Sequence, residues 1–452
     1  MPLSLTKINY KTFLINFLFS FIPISFVAGN LILNLNILLF IIFTIIFYGK
    51  DIFAQNLNRL DKIILIFFAY TIFIGILNNF YLQSDLMEGD YTITIKTVLY
   101  LRFLIFYFII KTLINKNLIN FKSFFIICFI CTYFISLDLI YQLNFGKDIF
   151  GYVSTDPRRL AGPFGTEFIA GSYLQRFSLF ALFLFPIFFN NKDKIYLYIL
   201  LLLTFILIIS GLIIAGNRVP LILFVILIAC VLFFYKPMRK YLLSFFILST
   251  IILTTLWNFN PNIKNHLNAF TERVSEVVEF AATVMIKNKE SNYEVDKDNI
   301  IEYYKYSIYV NGKVIPLKNI YIKEFYSGYQ TWLENKYIGG GIRSFRYNCA
   351  TFNCSSHPHN YYLEILSELG LVGFFLILFI FYKVLFNSFL NLKSKKLDLN
   401  HNKIIIPFMF LLLVEIFPIK STGSFFTTGN ATYLFLIMSI TIALSQTSKK
   451  KI

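Results

Sequence analysis

Runs of about 20 apolar residues recur along almost the whole of this chain, and they limit its fold more than any other feature. A helix of that length crosses a hydrocarbon layer about 30 Å thick. Inside hydrocarbon every backbone polar group needs a partner within the protein, which leaves helices or closed barrels as the possible structures. These runs are read as spanning helices. Twelve are read, near Phe13–Gly29, Leu31–Tyr48, Ile63–Phe80, Ile93–Ile114, Phe121–Leu143, Tyr173–Phe189, Ile195–Ala215, Val219–Tyr235, Tyr241–Trp257, Leu369–Phe389, Ile404–Pro418 and Ala431–Ser445. Only 14% of residues are charged, against about 25% in a soluble domain. The expected fold class is an all-α integral membrane protein with about twelve transmembrane helices.

The net charge is +17. The lysines and arginines stand in short clusters in alternate loops: Lys50, Arg59 and Lys62; Lys111, Lys116 and Lys122; Lys236, Arg239 and Lys240; and the lysines from 393 to 403. The intervening set includes the acidic loop with Asp85, Glu88 and Asp90. The positive-inside rule then places both termini in the cytoplasm, as an even number of spans requires. The basic residues form no face interleaved with aromatics outside the membrane, so nucleic acid is not an expected partner. The first apolar run lacks a small-residue cleavage site and leads straight into the next, so no cleavable signal peptide is expected. No lipid-attachment motif is read either.

Spans 1 to 9 occupy residues 1–257, a large outer segment 258–368, and spans 10 to 12 residues 369–452. The outer segment reads as a folded cap. Asn265 to Lys289 is an expected amphipathic helix. Tyr306–Val310, Asn311-Gly312 and Lys313–Leu317 form a hairpin signal, since Asn-Gly supplies the two positive φ angles of a type I′ turn. A second helix is expected from Glu324 to Asn335. Gly339, Gly340 and Gly341 then point to close backbone approach.

The residues suited to chemistry stand on the outer side. His357 and His359 flank Pro358 just before the chain re-enters the membrane at the tenth span. A neutral imidazole can take a proton from a sugar hydroxyl, although an outer-face histidine is often only a solvated loop residue. His-Pro-His offers at most two ligands, so no metal is expected. Arg218 opens the eighth span after Gly216-Asn217. A guanidinium there can hold diphosphate oxygens in a bidentate fork, or it can snorkel to lipid headgroups. Asn217 is the expected N-cap of that helix. Arg158 and Arg159 sit beside Gly162, Gly165 and Gly171, where an anionic group could approach the backbone. Arg343 and Arg346 follow the three glycines and read the same way. Simple solvation is the alternative for all four. Arg102 and Asp138, inside apolar runs, read as a structural ion pair, and Glu415 is left open. Cys128, Cys131 and Cys230 read as core residues. Cys349 and Cys354 lie in an oxidising compartment and are disulfide candidates.

Taken together, these segments resemble the O-antigen ligase and O-antigen polymerase superfamily of membrane glycosyltransferases. The resemblance rests on Arg159-Leu-Ala-Gly-Pro-Phe-Gly165, on Gly216-Asn217-Arg218, on ENKYIGGGIRSFR, and on HPHNYYLEILSELGLVGF with His359-Asn360 and Gly370-Leu-Val-Gly373. It extends to the late outer loop and the number of spans. Two departures stand out: Lys336-Tyr337 replaces the usual proline before the glycine turn, and Arg218 is followed by Val219-Pro220. The resemblance implies a GT-C-like enzyme of the bacterial inner membrane that needs no cofactor. Its donor would be a glycan on undecaprenyl diphosphate, used at the periplasmic face. The acceptor would be lipid A core in a ligase or a second lipid-linked glycan in a polymerase. His359 and Arg218 would be catalytic. Arg158, Arg159, Arg343 and Arg346 would bind diphosphate, and His357, Asn360 and Asn217 would support them. A transporter of lipid-linked glycans is the alternative from another class. Transporters carry charge at the midplane of broken helices and show inverted repeats, whereas here the polar residues gather on one side and no repeat is evident.

Overall fold

The computed structural model describes residues 10–79, 91–156, 158–189, 194–259, 264–265, 268, 307–310, 313–316, 320–349, 355–393, 399–418, 420 and 423–447. Its helices are α1 (Tyr10–Ala28), α2 (Asn30–Phe53), α3 (Arg59–Leu77), α4 (Thr92–Tyr100), α5 (Arg102–Asn115), α6 (Phe121–Phe145), α7 (Ala170–Phe188), α8 (Lys194–Ile214), α9 (Arg218–Phe234) and α10 (Lys236–Phe259). After them come α11 (Ile320–Glu334), α12 (Phe345–Asn348), α13 (Tyr361–Lys393), α14 (Leu399–Glu415) and α15 (Thr428–Thr447). Strands β1 (Ser307–Val310) and β2 (Lys313–Pro316) pair antiparallel, with Ser307 opposite Pro316 and Val310 opposite Lys313. The Asn311-Gly312 turn joining them lies outside the described residues, as does most of the helix expected from Asn265 to Lys289. The second helix expected in the outer segment is α11.

Among the described residues, nine helices are long and apolar enough to cross a membrane, and α9 is a shorter apolar helix. The chain is therefore a multi-pass membrane protein. One of the nine spans, Thr92–Asn115, contains both α4 and α5, which meet at Leu101.

The helices form two compact units. The first comprises Met1–Phe40, Leu118–Asn292 and Leu399–Val414, and the second Ile41–Asn117, Tyr293–Asp398 and Glu415–Ile452. In the first, α7 is the most enclosed span, with 72% of its window buried. Its Phe180 packs on Phe125, Phe124 and Phe408, with ring centroids 5.1, 5.2 and 4.8 Å apart. In the second, α15 is 83% buried, and its Phe435 stacks on Phe103 and meets Phe68 at 5.6 and 5.5 Å. These two spans have the lowest hydropathy of the nine. Helices facing protein can carry small and polar residues that a lipid-facing helix cannot.

The second unit also buries a charged cluster. Asp61 is fully buried; it accepts a 2.5 Å bond from the Tyr107 hydroxyl and pairs with Lys111. It also completes a capping box with Asn58 at the start of α3. With so many partners the carboxylate's lone pairs are met, which a buried ion requires.

The feature that positions the site is a break inside α13. Gly370 has φ +63° and ψ −169°, outside the range open to residues with a side chain. The helical ladder is interrupted there and its groups turn to the segment 336–341. The amides of Leu371 and Val372 donate to the carbonyls of Lys336 and Tyr337 at 2.9 and 3.1 Å. The carbonyls of Ser367 and Glu368 accept from the amides of Gly340 and Gly341 at 3.1 and 2.7 Å. The Tyr70 hydroxyl lies 2.8 Å from the carbonyl oxygen of Leu369. A Cβ at Gly370 would run into the Tyr337 carbonyl, and one at Gly339 into the Glu368 backbone. The three-glycine turn and the Gly370 position are thus two halves of one backbone joint.

Candidate functional site

In the first unit the loop from α6 to α7 is fixed by its own polar groups. The Ile149 amide donates to Asp138 Oδ1 at 2.8 Å, and the Gly162 amide to Gln142 Oε1 at 2.9 Å. Arg102, which the sequence pairs with Asp138, donates to Thr428 Oγ1 at 2.9 Å within the second unit. Asp156 collects both loop arginines: Arg158 Nε lies 3.1 Å from Oδ1 and Arg159 Nε 3.3 Å from Oδ2. Burial works against ionisation of Asp156. The amide and guanidinium of Arg158 and the charge of Arg159 outweigh it and hold the carboxyl below the usual range. Arg159 also lies over the Phe168 ring at 5.7 Å.

The Gly216-Asn217-Arg218 turn belongs to the same cluster. Gly216 has φ +67°, and a Cβ there would strike the Arg158 carbonyl. Asn217 stands at the N-cap position of α9 but caps nothing with its side chain, contrary to the sequence reading. Its two polar ends are already engaged: Oδ1 accepts the Gly171 amide at 3.3 Å and Nδ2 donates to the Phe168 carbonyl at 3.1 Å. It acts as a staple between the turn and the loop. Arg158, Arg159 and Arg218 are therefore brought into one neighbourhood, at a helix N-terminus whose dipole favours anions.

In the second unit the His-Pro-His turn runs into α13. Asn360 caps that helix, accepting the amides of Tyr362 and Leu363 at 2.9 and 3.2 Å and donating to the Pro418 carbonyl at 2.9 Å. Its role in the His-Asn motif is to start the helix. His359 has φ +52°, a conformation that costs a residue with a side chain about 1–3 kcal/mol and that gathers at functional sites. The two imidazole centroids are 4.3 Å apart. Ser356 Oγ lies 3.0 Å from His357 Nδ1. Burial, with His359 and Arg346 alongside, pushes the His357 pKa down to about 4. Burial also lowers that of His359, opposed by the charge of Glu324. Both rings are therefore held toward the neutral form, the form that accepts a proton.

The backbone that carries Arg343 is anchored by a buried carboxylate. Glu368, 1% exposed, accepts the Arg343 amide at 2.7 Å. Glu364, one helical turn earlier and 2% exposed, accepts the Phe425 amide at 2.6 Å and the Ser424 hydroxyl. Glu415, left open from the sequence, pairs with Lys420 and accepts from the Tyr361 hydroxyl at 3.1 Å, bracing the turn.

Cys349 is disulfide-bonded; Cys354, its expected partner, lies outside the described residues. Cys128, Cys131 and Cys230 are free. Among the described residues no three or more His, Cys, Asp or Glu side chains cluster so as to hold a metal ion.

The sequence reading missed Glu324, Glu364, Glu368 and Arg176. Two glutamates four residues apart at the start of an apolar run, and an arginine within one, are signals for a polar function. Arg176 is 8% exposed inside α7. Glu324 carried no such signal, because its importance comes from what α11 packs against.

Residues 203–378 match a protein family described as O-antigen ligase. The match includes Asn217, Arg218 and the whole stretch from Glu324 to Glu368; Arg158, Arg159 and Arg176 lie outside it. A comparison with curated proteins finds no match.

Proposed function

We propose, on the premise that this chain is a member of the O-antigen ligase and polymerase superfamily, that it transfers a glycan from undecaprenyl diphosphate to a hydroxyl of lipid A core. A multi-pass bacterial membrane protein of that superfamily acts on a lipid-linked glycan and a lipid acceptor. On this reading the twelve apolar runs are twelve spans in the inner membrane, both termini are cytoplasmic, and the reaction occurs at the periplasmic face. Residues 258–368 are the periplasmic cap, held before the His-Pro-His turn by a Cys349–Cys354 disulfide. The observation that carries the reading is the pair of imidazoles, 4.3 Å apart, on the left-handed His359 turn, in a chain that also gathers Arg158, Arg159 and Arg218 at a helix N-terminus.

His359 takes the proton of the acceptor hydroxyl. The acceptor oxygen bonds to the anomeric carbon as the bond from that carbon to the diphosphate oxygen breaks, and the electron pair leaves on the phosphate. A single displacement of this kind inverts the anomeric centre. Arg218 and Arg159, aided by Arg158, bind the diphosphate and offset the charge that develops on it. Arginines in that role make a divalent metal unnecessary. Arg343 and Arg346 add positive potential beside the histidines, and His357, Asn360 and Asn217 hold the reacting groups in place.

The test is gel analysis of lipopolysaccharide in a deletion strain that carries His359→Ala or Arg218→Ala at wild-type protein level. Each is expected to abolish transfer, a loss of at least about 100-fold for a general base. Normal long-chain lipopolysaccharide with both variants would remove the assignment. In the deletion strain itself, loss of all glycan beyond the core supports the ligase reading; core bearing a single repeat supports the polymerase reading.

A further inference from the structure

The turn that carries His359 is gripped by helix α11 of the cap. Gly328 packs so closely on Pro358 that a Cβ there would come within 2.7 Å of the proline ring. One turn earlier on the same face of α11 is Glu324, only 2% exposed. Its Oε2 accepts the Ser355 amide at 3.3 Å and the Ser355 hydroxyl at 2.7 Å. Ser355 is the residue that opens the Ser-Ser-His-Pro-His turn. A carboxylate buried this deeply belongs to a designed polar arrangement, since leaving it unpaired would cost several kcal/mol.

The charge of Glu324 also reaches beyond Ser355. Its negative charge favours the protonated form of His359 and so opposes the effect of burial. Among the described residues, the other charged and titratable groups on the elements around the turn include Lys323 on α11, Arg346 on α12, His357 on the turn itself, Tyr361, Glu364 and Glu368 on α13, and the Glu415–Lys420 pair that meets Tyr361. Arg346 acts on His357, and Glu364 and Glu368 are engaged by Ser424, Phe425 and Arg343. A base that becomes a cation during the reaction gains from an oriented anion nearby, the logic by which a third group supports a catalytic base.

We propose that Glu324 is a positioning residue: it clamps the His-Pro-His turn through Ser355, and its negative charge stabilises the imidazolium formed when His359 accepts the acceptor proton. This inference rests on the assignment of His359 as the base. It places part of the catalytic apparatus on the cap, outside the membrane-spanning helices.

The chain holds four histidines, so His359 can be followed directly by NMR of ¹³C-histidine-labelled full-length protein in nanodiscs, with His359→Gln supplying the assignment. In Glu324→Gln the His359 midpoint is expected to fall by about one pH unit. Transfer in the deletion strain should fall about tenfold, in line with the lost basicity. Glu324→Asp keeps the charge and should restore most of both. Ser355→Ala removes the hydroxyl clamp while leaving the charge, and should leave the midpoint near wild type. An unchanged midpoint in Glu324→Gln, or an equal fall in Ser355→Ala, would overturn the proposal. If His359→Ala transfers glycan normally, the catalytic reading fails while the measured Glu324–His359 coupling stands, so the two failures are distinct.

Discussion

The two units hold their polar clusters by opposite means. In the first, three arginines are placed by backbone contact: Gly216 lets a turn press against the Arg158 carbonyl, and Asn217 stitches that turn to the next loop. Asp156 pairs with two of them, Arg158 and Arg159, whose side chains are 42% and 29% exposed. In the second, buried carboxylates do the holding. Glu324, Glu364 and Glu368 each accept a backbone amide, from Ser355, Phe425 and Arg343; the first belongs to the segment that carries the imidazoles and the third to the one that carries Arg343 and Arg346. An arrangement of exposed cations can adapt to a flexible anionic lipid headgroup. One built on buried carboxylates is rigid, as a proton-transfer geometry must be.

The comparison can be broken most sharply at the glycines. Gly370→Ala should lose folded protein outright, because it adds left-handed strain of about 1–3 kcal/mol and drives a Cβ into the Tyr337 carbonyl, disrupting the joint with segment 336–341. Gly216→Ala meets the Arg158 carbonyl in the same way. It should instead leave a folded protein without transfer activity, since it displaces only the loop and turn. Thermal unfolding in detergent, read beside lipopolysaccharide gels, separates the two. Equal melting temperatures for both variants would contradict the contrast.

Removing a carboxylate in each unit comes next in size. Glu368→Ala leaves the part-buried Arg343 amide without its acceptor, at a cost of about 1–3 kcal/mol. Asp156→Ala removes half-exposed ion pairs worth less than about 1 kcal/mol. Similar losses of stability in the two variants would mean that the first unit's charges are less solvated than their exposure implies.

Acid gives the finest distinction. His357 is held near a pKa of about 4 in the folded protein, against about 6.5 when unfolded. Below 6.5 the unfolded chain binds a proton that the folded one refuses, so stability falls as the pH drops from about 6.5 toward 4. The depressed Asp156 carboxyl works at lower pH. Its contribution is present above about 3.9 and is lost only as the pH falls through the folded value. His357→Gln should therefore flatten the stability curve between pH 6.5 and 4, and Asp156→Asn should change it only below about 4.

The class of fold was legible in the apolar runs, and so were the segments that matter. Each of the twelve runs overlaps a helix, because hydrocarbon allows a chain so apolar few other structures. The length of those helices is a finer matter: α9 and α14 each have 17 residues. Gly339, Gly340 and Gly341 were visible as a demand for unusual backbone, and Gly216 and Gly370 only as motif residues. What they contact was not, since a positive φ is a local demand while the clash that excludes a Cβ comes from a residue far along the chain. Asn217 shows the same gap. Its position predicted a cap, and the tertiary contacts with Phe168 and Gly171 claimed its side chain instead.

The amino-acid order alone determined that this chain has the apolar runs of a membrane protein, that its basic residues cluster between those runs, and that the candidate histidines, arginines and glycines fall in a few short segments. Those properties follow from hydropathy, charge and local backbone freedom, which each residue carries with it wherever it is placed. Only the tertiary structure decided that Glu324 holds the histidine turn, that Glu364 and Glu368 hold the segments at Phe425 and Arg343, and that the break at Gly370 and the segment 336–341 complete each other's hydrogen bonds. Such pairings satisfy buried donors and acceptors from separate stretches of chain, and no local preference of either stretch encodes the partner.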